Sequence, residues 1–146
     1  MQLNTTRFGS VRIRSNDIFR FPQGLIGFAD CQRWVLLADA ATESVGWLQS
    51  ATHPELAVAV VSPRRFVPDY KFHVAPSQLV TLNLSDTDRA FVLNIVAKQG
   101  YVLTTNLKAP LIFNLDGRLG CQVVVSDDHP LQHELADSTP RLRKIA

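Results

Sequence analysis

Three features of this 146-residue chain predict an all-β, mainly antiparallel fold: a small β-barrel-like or sandwich domain with one or two short helices. Short β-rich runs recur at spacings of roughly 8–12 residues, closed by Gly, Pro or other turn-forming residues. One pair of runs, Leu111–Leu115 and Leu119–Val125, is joined through Asp116-Gly117. That dipeptide suits a type I′ hairpin turn, in which both central residues need positive φ. Helical patterning is confined to two short stretches.

Leu3–Arg7 and Val11–Arg14 flank the break Phe8-Gly9-Ser10, and the apolar/polar alternation of Val11–Arg14 is that of a half-buried strand. Asp17–Phe21 alternates again and stops at Pro22, which cannot donate to a ladder. Trp34–Leu37, Val45–Gln49, Ala57–Val61, Phe91–Ala97, Leu111–Phe113 and Gln122–Val125 read as further strands. Pro76–Val80 predicts a short helix, because Pro suits a first helical position and Ser77 or the residue before Pro76 can cap it. Leu131–Leu135 predicts one helical turn. Residues 1–130 then form a single β domain, followed by a C-terminal extension at 131–146 that is expected to be partly flexible.

With 46% hydrophobic and 19% charged residues, the composition excludes intrinsic disorder. The longest apolar run, Leu56–Val61, is far short of the roughly 18–20 residues that a membrane-spanning helix needs. The N-terminus has neither a basic n-region nor an apolar h-region, so no secretory signal is expected and the cytoplasm is the expected compartment. A net charge of +2 is mild. The basic residues are dispersed among Arg12 and Arg14, Arg64-Arg65 and Arg141–Lys144, and each group reads as a solvated face or tail. Neither nucleic acid nor membrane is an expected partner. Cys31 and Cys121 are expected as reduced thiols.

No GxSxG, P-loop, GxGxxG or HExxH occurs in the sequence. His129 and His133, with Asp127, Asp128 and Glu134 nearby, are the best metal candidates, since histidines four apart share one helical face. Cys31 or Cys121 with His53 or His73 could form a thiol and its base. A small ligand- or metal-binding β-barrel enzyme is the alternative reading these residues support. A solvated acidic loop and buried thiols explain them as well, so no catalytic residue, metal or cofactor is expected.

The stretch Ser62–Phe72 differs from the rest. Pro63 and Pro68 stiffen a loop that carries Arg64, Arg65, Phe66, Asp69, Tyr70, Lys71 and Phe72. Stiff loops lose little entropy on binding, and aromatic and Arg residues dominate interface hot spots. Aromatics tucked beneath the barrel as a staple fit the same composition.

Five motifs in order carry a family resemblance: Phe21-Pro22-Gln23-Gly24-Leu25-Ile26-Gly27-Phe28, Trp47-Leu48-Gln49-Ser50, Pro68-Asp69-Tyr70, Asn106-Leu107-Lys108-Ala109-Pro110 and Gly120-Cys121-Gln122-Val123-Val124. Over residues 1–130 the chain resembles the flagellar assembly factor FliW family. The resemblance implies a small β-barrel-like protein that works by binding. Its partners would be newly made flagellin in the cytoplasm and the RNA-binding regulator CsrA, whose repression of flagellin translation it would relieve. Family members usually carry Pro where Ile26 stands, Asp where His53 and Ser62 stand, and an acid where Lys71 stands. Fewer acids would weaken docking on a basic regulator more than binding of flagellin. The candidate partner-binding residues are Arg64, Arg65, Phe66, Asp69, Tyr70 and Lys71, with Ile26 in the glycine turn.

Overall fold

A computed structural model describes residues 1–85 and 88–135. Among them, eleven strands run in chain order. They are β1 Gln2–Thr5, β2 Gly9–Arg12, β3 Ile18–Arg20, β4 Arg33–Ala38, β5 Val45–Ser50 and β6 Ala57–Val61, then β7 Ala90–Gln99, β8 Val102–Thr105, β9 Leu111–Asn114, β10 Leu119–Gln122 and β11 His133–Glu134. The helical segments among the described residues are 3-10 turns, at Ser15–Asp17, Pro63–Arg65 and Pro76–Leu82.

Seven strands, in the order β7-β6-β5-β4-β3-β10-β9, close into a barrel because β7 also pairs with β9. The ten-residue β7 serves both neighbours on that flank. Its first part, Ala90–Leu93, pairs with β9, and its last part, Val96–Gln99, pairs with β8. β8 in turn carries β11. Barrel pairings are antiparallel except that of β3 with β10, which is parallel and rests on one register pair, Leu119↔Arg20.

Alternation along the strands sends every second residue inward. The interior is built on Phe19, Phe21, Trp34, Leu48, Val60, Leu111 and Phe113. Phe19 and Phe21 meet Phe113 edge-on at 5.1 and 5.5 Å between ring centroids, and Phe91 stacks on it at 4.6 Å. Two apolar pads cover the outside. The β1–β2 hairpin lays Leu3 over Val35, joined there by Ile13. The segment from Phe72 to Leu82 covers Ile112, Cys121, Val123 and Val125.

The Asp116-Gly117 hairpin is present, but its turn has a different basis. Gly117 is not in the left-handed region; Arg118 is, with φ +54. The organiser is Asn114, whose Oδ1 accepts from the N–H groups of Asp116 and Gly117 at 3.1 and 3.0 Å. A Cβ on Gly117 would stand 2.8 Å from Asn114 Nδ2, so glycine is needed there for space. The helix expected at Pro76 is a 3-10 helix capped at Ala75, whose N–H donates to Gln78 Oε1 at 3.2 Å.

At the C-terminal side the expected helical turn at Leu131–Leu135 is replaced by strand. His133 and Glu134 pair with Thr105 and Thr104, and Leu135 is buried. The start of the 131–146 extension is thus part of the sheet, and its remainder from residue 136 lies outside the described residues.

The two ends of the barrel differ. At the end holding the β5–β6 connection, Phe21, Leu25, Cys31 and Trp34 fill the interior and are buried. At the other end, beside the β4–β5 connection, Leu36, Phe91, Leu93 and Leu115 pack on the core yet stay half-exposed.

Candidate functional site

The loop after β6 starts with Pro63 buried at the first position of a 3-10 helix, where its missing N–H costs nothing. The chain then turns back on itself: Val67 N–H donates to Pro63 O at 2.8 Å and Tyr70 N–H to Val67 O at 3.0 Å. Tyr70 is 2% exposed, and its hydroxyl donates to Leu107 O at 2.5 Å. Burial pushes its phenol pKa up. Its ring packs on Phe72 at 5.4 Å and His129 at 4.8 Å.

Further ties hold the loop from outside. Arg64 Nε donates to Tyr70 O at 3.2 Å. His129 Nε2 meets Lys71 O at 2.6 Å. Asp127 accepts from His73 N–H at 2.8 Å and pairs with His73 Nδ1 at 2.8 Å. Those two contacts from His73, led by the backbone one, lower the Asp127 pKa.

Seven residues were expected at a partner surface, and they divide three ways. Arg64, Arg65, Asp69 and Lys71 are exposed, and Phe66 is half-buried. Tyr70 faces inward and anchors the loop. Ile26 is 61% exposed and sits elsewhere, on the turn Leu25–Phe28. Phe28 N–H donates to Leu25 O at 2.8 Å. Gly27 has φ +88 and Ile26 does not have positive φ, which makes this a type II turn with Gly at its third position. Ile26 therefore occupies the position that favours proline, and its N–H, which proline would lack, donates to Gln122 Oε1 at 2.8 Å. Among the described residues no hydrogen bond joins Ile26 to the loop at 62–72.

The structure does bring one thiol and imidazole together. Cys31 Sγ lies 3.4 Å from His53 Nδ1, which Thr52 Oγ1 also approaches at 3.0 Å. Among the described residues Cys121 has no such partner: its thiol faces Gln78 O at 4.0 Å, and burial pushes its pKa up to about 11. Both cysteines are free. His129 and His133 do not share a helical face, because His133 is on β11 and His129 is turned to Lys71 and Tyr70. Among the described residues no group of three or more His, Cys, Asp or Glu side chains could hold a metal ion.

Sequence reasoning missed the open barrel end, where Arg12 and Arg118 border one cavity and Arg65 another. The residues there come from distant parts of the chain, and the left-handed conformation of Arg118 has no local sequence signal.

The family model described as FliW protein matches residues 2–135. A flagellar assembly factor FliW from Bdellovibrio bacteriovorus is 37% identical over 131 residues, covering 88% of this chain and 75% of the relative. Another from Caldanaerobacter subterraneus is 31% identical over 146 residues, covering 94% and 97%. The crystal structure of a flagellar assembly factor FliW superposes with a TM-score of 0.86 at 29% identity, covering 92% of this chain and 96% of that one. With a match across nearly all of the described fold, in sequence and in three dimensions, this chain belongs to the FliW family of flagellar assembly factors.

Proposed function

We propose that the chain works by binding rather than by catalysis, holding flagellin in the cytoplasm and engaging CsrA as a second partner. Rising flagellin would then occupy the factor and release CsrA, a switch that needs only differential affinity between two partners. Family membership supports the flagellar setting.

The observation that carries the reading is the loop at 62–72. It is fixed from within by Tyr70 while Arg64, Arg65, Asp69 and Lys71 stand in solvent. Side chains on a pre-ordered loop lose less freedom when a partner arrives. Ile26, on a type II turn tied down by Gln122, is a second rigid contact of the same kind.

The test is calorimetric titration of the full chain against flagellin and against CsrA, with Lys71→Glu and Arg64→Glu as variants. Wild type should bind flagellin, and Arg64→Glu should weaken that binding several-fold. Lys71→Glu should tighten CsrA binding, more at low salt than at high, because it restores an acid facing a basic partner. Absence of binding to both partners would overturn the function. Unaltered binding by both folded variants would remove the loop from the interface.

A further inference from the structure

At the open end of the barrel β4 outruns its neighbour. Its pairing with β3 stops at Ile18↔Val35, while its pairing with β5 continues to Ala38↔Gly46. Among the described residues, Leu36, Leu37 and Ala38 therefore have a strand on one side and none on the other. Two cavities, of about 310 and about 420 Å³, adjoin this stretch, and Leu36 and Leu37 line both. Phe19 and Leu115 wall the first; Val60, Phe91 and Leu93 wall the second.

The rim is charged. Arg12 and Arg118 border the first cavity and Arg65 the second. None of the three forms an ion pair among the described residues. Of the acids at the rim, Asp17 is engaged, accepting from Arg14 N–H at 2.7 Å, and Glu43 borders the second cavity. Arg118 holds its left-handed φ with its guanidinium 5.1 Å from the centre of the Phe19 ring. A non-glycine residue keeps such a conformation only where its surroundings over-determine it. Here that conformation sets a cation against an apolar wall.

We propose that this mouth is a docking site for an extended segment of a partner protein in which acidic and apolar residues alternate. The segment adds as a strand along Leu36–Ala38, where backbone groups supply affinity. Alternate side chains of a strand point to opposite sides. Apolar ones enter the two cavities while carboxylates meet Arg12, Arg118 and Arg65, an arrangement that suits the forked geometry of guanidinium and carboxylate. The site goes beyond the flagellar reading and does not depend on it, since only Arg65 is common to both surfaces.

The experiment is fluorescence anisotropy of the full chain with a labelled peptide alternating Glu with Val or Leu, against the same peptide with Lys for Glu. The acidic peptide should bind, and the Arg12→Glu/Arg65→Glu double variant, changed at two exposed positions, should bind it about tenfold more weakly or worse. Along β4 the odd residues bond β5, so the amides facing the open side are those of Leu36 and Ala38, and their hydrogen exchange should slow when the acidic peptide is added to wild type. Equal binding of the two peptides, absence of binding, or full binding by a double variant with an unchanged melting curve would overturn the site. Unchanged exchange at both Leu36 and Ala38 would overturn the strand addition.

Discussion

Tyr70 is an aromatic of the type that dominates binding hot spots, yet its hydroxyl and ring are both spent inside the molecule. Tyr70→Ala should destabilise the fold by about 3–5 kcal/mol, as for other buried aromatics. Tyr70→Phe should cost only about 1 kcal/mol, the scale of one lost hydrogen bond. Urea denaturation measures both. Tyr70→Phe should also leave partner titrations unchanged; weaker binding at equal stability would return Tyr70 to the interface. Cys121 supplies a pH-dependent counterpart. Its thiol pKa is pushed from 9.0 up to about 11 in the folded chain, because burial disfavours the thiolate. Between those values the folded state keeps a proton that the unfolded state has lost. This contribution to stability is thus complete below pH 9 and is lost as pH rises towards about 11. Cys121→Val should show a shallower fall in urea midpoint over that window than wild type, and parallel falls would refute the assignment.

The β9–β10 hairpin depends on one side chain more than on its turn dipeptide. Besides accepting two turn N–H groups, Asn114 donates through Nδ2 to Leu82 O at 2.9 Å and Asp88 Oδ2 at 3.1 Å. Asn114→Ala removes all four bonds and leaves Leu82 O without this donor, while Asp88 Oδ2 keeps the Ser85 N–H; it should cost about 2–4 kcal/mol, counting net bonds and the buried carbonyl together. Gly117→Ala should cost about 1 kcal/mol through the crowding against Asn114 rather than through φ. If Gly117→Ala became harmless in an Asn114→Ala background, chemical denaturation of the double variant would show that coupling directly. The comparison explains what was legible here. Asp116-Gly117 locates a reversal of the chain, but the turn type follows from an Asn side chain anchored to Leu82, 32 residues away. Strand β8 has no apolar/polar alternation, since Val102-Leu103 is followed by Thr104-Thr105, and the two residues of β11 are too few to show a period. The pairing of β7 with β8 is a local hairpin closed at Gln99↔Val102, whereas its pairing with β9 joins a strand beyond β8 that no local pattern signals.

Barrel closure is unequal around the ring, and this sets an expectation for how the whole molecule opens. The β4–β5–β6 meander is held by two five-pair ladders, whereas β3 and β10 share one register pair, reinforced by Arg20 N–H donating to Arg118 O at 3.0 Å. Proteins open locally where few bonds must break, at free energies well below that of global unfolding. The β3–β10 seam also adjoins the unfilled barrel end, where Phe19, Leu115 and Arg118 border a cavity instead of tight packing. Composition and prolines had marked the loop at 62–72 as a candidate surface. The open mouth was invisible in the sequence because Arg12, Leu36, Leu115 and Arg118 meet only once the barrel closes. In native-state hydrogen exchange the Arg20 amide should therefore exchange through an opening cheaper than those of the meander amides, and respond only weakly to added denaturant. An Arg20 amide as protected as those of β5 would mean that the seam opens only with global unfolding, and that the barrel is uniformly closed despite its single parallel pair.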